Sequence, residues 1–182
     1  MDDKRNMDTK EIVLMGLMIA LIWIAGSIIK IPSLGGFVHI GDCMVFLSVI
    51  VLGKKKGAVT SAIGMFLVDV LGGYYLWAPF TLVIKGVMAY IAGSIIEKLK
   101  GQRNSIKYLS AFLISGIFMV AAYFGAGIIM AGFLTEKAGL IQGIAYASKD
   151  IIGNIIQVGT GIVIAFPLSA IILKAKAEIV SQ

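Results

Sequence analysis

The chain has 182 residues, of which 59% are hydrophobic and only 14% charged, with a mean hydropathy of +0.96. Soluble domains carry about 25% charged residues, so this composition cannot clothe a water-facing surface, and lipid is the solvent that suits it. The net charge of +6 does not point to nucleic acid, because the basic residues sit in short clusters between apolar runs, as orienting loop charges do in membrane proteins.

The N-terminal Lys4, Arg5 and Lys10 precede an apolar stretch over 12–29, a pattern shared with signal peptides. That stretch is long for a signal core and no small-x-small cleavage site follows, so a retained first helix over 11–29 is expected. A loop over 30–41 contains Pro32 and the pair Gly35 and Gly36. Helix 2 is expected over 42–52, a tight basic turn over Gly53, Lys54, Lys55, Lys56 and Gly57, and helix 3 over 58–71. Gly72, Gly73 and Pro79 bound a loop holding Tyr74, Tyr75 and Trp77. Helix 4 follows over 80–96, a basic loop over 97–107, helix 5 over 108–133, a less apolar connection over 134–147, and helix 6 over 148–173 before a short charged tail. Helices 2 and 3 fall short of the roughly 20 residues of a span; tilting or shielding by neighbours accommodates them, with a re-entrant hairpin as the alternative.

The expected fold is therefore an all-α integral membrane protein with six transmembrane helices, a single substrate-binding domain over residues 1–182. Its N- and C-termini are placed in the cytoplasm by the positive-inside rule. Twelve of the 16 Lys and Arg fall on one side in a six-span arrangement: Lys4, Arg5, Lys10, Lys54, Lys55, Lys56, Lys98, Lys100, Arg103, Lys107, Lys174 and Lys176. Lys30, Lys85, Lys137 and Lys149 do not.

In that arrangement the polar groups gather in the outer half. Asp42 begins helix 2, Asp69 lies near the end of helix 3, and Lys85 is one to two turns into helix 4. Asn154 and Gln157 are three apart on one face of helix 6. The loops above carry His39, Tyr74, Tyr75, Trp77, Lys149 and Asp150. An ionisable group in a span costs roughly 2.5–3.5 kcal/mol on insertion scales, so it faces a cavity or a partner. Lys85, Asn154, Gln157, Asp42, His39, Asp69, Tyr74, Tyr75 and Trp77 are therefore the candidate substrate-binding residues, the amides offering donors and acceptors and the aromatics a stacking surface or lid.

Each residue also has a plainer reading. Lys85 as a snorkelling side chain, Asp42 as an N-cap, and the loop aromatics as an interfacial belt all remain open. So do His39 as a loop hydrogen-bonder and Asn154 with Gln157 as interhelical glue. Cys43 is alone, so no internal disulfide exists, and packing is its expected role.

Among function classes, an enzyme is disfavoured: the one histidine rules out a two-His metal site, and no G-x-S-x-G occurs. No metal or cofactor is expected. An autonomous small secondary transporter or channel is the alternative, but no P-loop and no inverted repeat of broken helices is present. A membrane-embedded substrate-binding subunit that docks on an energising partner fits the polar outer half and apolar inner half.

Three segments carry a resemblance: Phe37, Val38, His39, Ile40, Gly41 and Asp42; Leu52 through the lysines to Gly57; and Asp69 to Gly86, including Pro79, Phe80, Thr81 and Lys85. Together with size and helix layout they resemble the substrate-binding (S) components of energy-coupling factor transporters, in the branch that covers riboflavin, pyridoxine-like and hydroxymethylpyrimidine substrates. The resemblance implies a vitamin or vitamin precursor bound near the outer face under a lid formed by the helix 1–2 loop. It also implies docking on a transmembrane coupling subunit and two cytoplasmic ATPase subunits. In the family an Ala-x-x-x-Ala-like motif on helix 1 contacts the coupling subunit; the matching pair here is Gly16 and Ala20, the glycine being a departure. The expected protein is a multi-pass subunit of a bacterial cell membrane. It would capture a pyridoxine, pyridoxal or hydroxymethylpyrimidine-type solute first, riboflavin second.

Overall fold

The computed structural model describes residues 8–28, 30–32, 37–134 and 139–180. Lys4, Arg5, Gly35, Gly36 and Lys137 lie outside them. Among the described residues the chain is almost entirely helical, as its composition requires.

Helix α1 (Thr9–Ile28) buries Met18, Ile22 and Gly26, one residue per turn along a single stripe. Beyond its polar first turn, its outward surface is largely apolar, with Ile12, Val13 and Leu17 exposed, which suits lipid. The stripe seats on the second half of α2. A Cβ at Gly26 would lie 2.6 Å from Val68 Cγ2, and one at Gly64 would lie 2.7 Å from Ile22 Cγ2, so both glycines are needed for the close approach.

After α1 comes an element absent from the sequence expectation. Strands β1 (Lys30–Pro32) and β2 (Phe37–His39) pair antiparallel, Lys30 opposite His39. Residues 30–32 and 37–39 of the expected loop over 30–41 are thus held in strand pairing just ahead of α2.

Helix α2 (Gly41–Leu71) is broken at Gly53, whose φ of 79° and ψ of 177° suit glycine. Ser48 Oγ and Ser61 Oγ are 2.9 Å apart, whereas thirteen residues of straight helix would separate them by roughly 20 Å. The chain therefore folds back at Gly53. A Cβ at Gly57 would lie 2.8 Å from Val49 Cα, so the two arms press backbone to backbone. This corrects the expected five-residue turn: Gly53 alone leaves the helix, and Lys54, Lys55 and Lys56 are already helical.

Helix α3 (Ala78–Lys98) starts with Pro79 in its first turn. Helix α4 (Asn104–Ile129) continues into a π-helical turn, Met130–Leu134. Helix α5 (Leu140–Val180) begins eight residues before the expected position and absorbs the expected tail. At 41 residues it is roughly 60 Å long, about twice the hydrocarbon thickness. Among the described residues, four helices are long and apolar enough to cross a membrane: Thr9–Ile28, Ala78–Lys98, Asn104–Gly132 and Leu140–Glu178.

The ends of the bundle differ. One gathers the start of α1, the break of α2, the end of α3 and the end of α5: Lys56 pairs with Glu11, Lys54 with Glu97, and Lys176 Nζ donates to the Ile50 and Val51 carbonyls, 3.0 Å each. Lys176 thus caps the carbonyl end of the first α2 arm, where a cation is favoured. The other end holds the hairpin, both termini of α2, the start of α3 and the polar part of α5. Between them lies an apolar core that includes Phe46 stacked on Phe112 with ring centroids 4.4 Å apart.

Candidate functional site

A cavity open to the outside sits at the hairpin end. Strand β2 contributes Phe37, Val38 and His39; α2 contributes Asp69; the following turn and α3 contribute Tyr74, Trp77 and Thr81. Tyr123 comes from α4, and Asp150, Gly153, Asn154 and Gln157 from α5.

The local chain explains how these side chains converge. Gly73 has φ of 82°, a left-handed turn that glycine accepts without strain. The Tyr74 N–H then bonds back to the Asp69 carbonyl at 2.8 Å, and the Trp77 and Ala78 N–H groups bond to the Tyr74 carbonyl. The turn therefore carries Tyr74 and Trp77 over the end of α2. Tyr74 packs on Phe37 (centroids 4.6 Å) and Trp77 on Tyr123 (6.0 Å), giving the cavity two aromatic walls.

Beneath lies a buried ion pair. Lys85 Nζ donates to Asp42 Oδ1 at 2.5 Å, with both side chains 0% exposed. Gln157 Nε2 donates to Asp42 Oδ2 at 3.2 Å, and the Lys85 ammonium lies 5.2 Å from the Tyr123 ring centroid. Gly161 lets α5 reach this point: a Cβ there would stand 2.8 Å from Asp42 Cβ. Asp42 also lies in the first turn of α2, where a negative charge is favoured.

Two further groups are fixed by hydrogen bonds. His39 Nδ1 accepts the Gly41 backbone N–H at 3.1 Å, so the imidazole is neutral and its proton sits on Nε2. Burial, foremost, pushes the His39 pKa down to about 4. On the opposite wall Tyr123 donates to Thr81 Oγ1 at 3.0 Å, and the Thr81 hydroxyl bonds the Asp69 carboxylate.

Residues 6–174 match the family described as ECF-type riboflavin transporter, S component. The chain belongs to that family. Over 170 residues it is 29% identical to the thiamine precursor transporter HmpT of Lactococcus lactis subsp. cremoris (strain MG1363), covering 92% of this chain and 90% of that one. Over 146 residues it is 33% identical to an uncharacterized protein in the gap 3' region of Pyrococcus woesei, covering 80% and 88%. As an S-component family member with long apolar helices, the chain is a membrane transport protein and not an enzyme.

Against this family background, six of the nine substrate-binding candidates line the cavity: His39, Asp69, Tyr74, Trp77, Asn154 and Gln157. Lys85 and Asp42 do not; they form the ion pair under it. Lys85 ends on Asp42 rather than reaching outward, and Asp42 is not the N-cap, a position held by Ile40 without a side-chain bond. Tyr75 is 69% exposed and is not part of the lining. Gly16 and Ala20 lie on the exposed face of α1, and a Cβ at Gly16 would meet nothing within 4 Å.

Sequence reasoning did not select Phe37, Val38, Thr81, Tyr123 or Gly153. Phe37 and Thr81 sit inside the motifs that carried the resemblance, and Thr81 is one helical turn before Lys85, which was the available signal. Tyr123 is a lone hydroxyl in a long apolar run and gives none.

Proposed function

We propose that this chain is the substrate-binding subunit of an energy-coupling factor importer, which captures a small vitamin or vitamin precursor in an outward-facing pocket. The observation that carries this reading is the position of the cavity. It is aromatic-walled, polar and confined to one end, above an ion-paired floor and an apolar core. A pocket of that kind binds a solute without providing a path for it through the bundle. The first choice of substrate is a hydroxymethylated nitrogen heterocycle of the pyridoxine or hydroxymethylpyrimidine type, in keeping with the thiamine-precursor relative; riboflavin is second, in keeping with the family.

In this proposal the two arms of α2 complete a six-span bundle with the four apolar helices. The lysine-rich end, where Lys54, Lys56 and Lys176 meet their partners, faces the cytoplasm together with both termini. A transmembrane coupling subunit and two cytoplasmic ATPases supply the energy, with the face of α1 around Gly16 and Ala20 as the docking surface. The setting is a bacterial cell membrane.

Mass spectrometry of solute that co-purifies with the detergent-solubilised chain identifies the substrate class directly. A ring-containing vitamin or precursor is expected. Uptake into cells should require coexpression of the coupling subunit and ATPases, and Ala20→Leu should block uptake while sparing binding. Accumulation by the chain alone would favour an autonomous transporter instead.

A further inference from the structure

Two of the cavity's polar side chains are each fixed from behind. His39 Nδ1 accepts the Gly41 N–H at 3.1 Å, and Gln157 Nε2 donates to Asp42 Oδ2 at 3.2 Å. Both partners stand at successive positions in the first turn of α2. Glycine lets the imidazole settle there, since a Cβ at Gly41 would lie 3.0 Å from His39 Nδ1. Gly161, one turn beyond Gln157 on the same face of α5, brings that helix against Asp42.

These contacts leave each side chain one polarity to offer. A neutral imidazole that accepts through Nδ1 donates through Nε2. A carboxylate only accepts, and Asp42 already holds the Lys85 ammonium on Oδ1. The Gln157 amide therefore keeps its nitrogen toward Asp42 and its oxygen away. His39 Nε2 and Gln157 Oε1 make no hydrogen bond among the described residues. Among the buried and half-buried side chains described, only Trp23 Nε1 and Asp69 Oδ2 are both sealed and unpartnered. His39 Nε2 and Gln157 Oε1 are thus open, on residues that line the cavity. Asn154, one turn before Gln157, has no such anchor among the described residues and can present either end of its amide.

We propose that His39 Nε2–H and Gln157 Oε1 set the solute specificity of the cavity as a fixed donor and a fixed acceptor, and that the Asp42–Lys85 pair is the positioning element that holds the acceptor in place. The class selected is an aza-aromatic alcohol, with a ring-nitrogen lone pair for His39 and a hydroxyl hydrogen for Gln157. This rests on the vitamin-capture reading above and names the atoms by which the site recognises its solute. An analogue of the same shape without the ring nitrogen or the hydroxyl is refused, because it leaves a polar group of the site unpaired.

The test is a calorimetric series on the purified full chain with pyridoxine, its carba analogue (CH in place of the ring nitrogen) and its two deoxy analogues (methyl in place of one hydroxymethyl). Loss of the ring nitrogen should weaken binding about ten- to a hundredfold, and so should loss of one of the two hydroxyls. Gln157→Met should weaken pyridoxine by a similar factor and abolish the preference for pyridoxine over that deoxy analogue. In the double variant Lys85→Met with Asp42→Asn, position 42 donates as well as accepts, so the Gln157 amide is free to turn and the same preference should shrink. A purely structural loss would weaken alcohol and deoxy analogue alike, and that result would overturn the positioning role. The probe comparison in the unsubstituted chain does not depend on how the variants fold. Pyridoxine and all three analogues binding equally would overturn the assignment and leave the capture reading intact. So would a different co-purified vitamin whose affinity is indifferent to Gln157→Met. Failure of pyridoxine and riboflavin to bind, with no solute co-purifying, would remove both.

Discussion

Two lysine–carboxylate pairs tie α2 to α3, one at each end of the bundle. Lys85–Asp42 and Lys54–Glu97 each span 43 residues of sequence and each close to 2.5 Å. They differ in surroundings. The first pair is 0% exposed on both sides, whereas Lys54 and Glu97 retain 21% and 46% of their side-chain exposure. Water and salt weaken the exposed pair. In the buried pair each charge depends on its partner, because neither has water to fall back on. The same chemistry thus gives a surface clasp at one end and, at the other, a floor on which the cavity rests.

The comparison is broken most directly by orphaning one charge. Lys85→Met should leave Asp42 buried with only Gln157 as a donor, costing roughly 3–5 kcal/mol. Thermal unfolding in detergent should show a large drop in melting temperature. Adding Asp42→Asn should restore most of it, since no buried charge then stands alone. If Lys85→Met alone melted like the parent chain, Asp42 would not be a desolvated charge.

A second effect follows from His39, which lies outside the spanning helices. Its folded pKa of about 4 is below the ordinary value of 6.5 because burial disfavours the charged ring. The unfolded chain therefore takes up a proton first as pH falls. Stability tied to His39 is fully present above about pH 6.5 and is lost progressively between 6.5 and 4. His39→Asn keeps an acceptor for the Gly41 N–H and should flatten that part of the melting-temperature profile. An unchanged profile would show that the carboxylates alone set it.

The smallest effect is expected at the exposed clasp. Lys54→Met should leave the melting temperature of the isolated chain unaltered within error. A large drop would mean that the α2 break depends on this pair.

Much of the cavity end was legible because charged and amide residues in an apolar chain are rare enough to be informative. Asp69, Asn154 and Gln157 were placed at one level by helix position alone. The partnership of Lys85 with Asp42 was not legible, since nothing in two residues 43 apart says that they touch rather than each meeting a solute. The hairpin was missed because three-residue strands have no usable periodicity. The α2 break was placed correctly at Gly53 but drawn too wide: lysine is a good helix former, so the charge cluster did not itself interrupt the helix. The early start of α5 was not legible because Gln142, Gly143 and Tyr146 interrupt the apolar run ahead of Ser148 without breaking the helix.

The division between the two ends is tested most directly by a matched pair of binding titrations. Asn154→Ala, at the cavity, and Lys54→Met, at the clasp, would be titrated calorimetrically with the solute identified in the purified parent chain. Losing a neutral hydrogen bond of about 0.5–1.5 kcal/mol should weaken binding to Asn154→Ala by roughly two- to twelvefold, while Lys54→Met binds like the parent. Unchanged affinity in Asn154→Ala together with a loss in Lys54→Met would contradict the placement of the site and move it to the opposite end of the bundle.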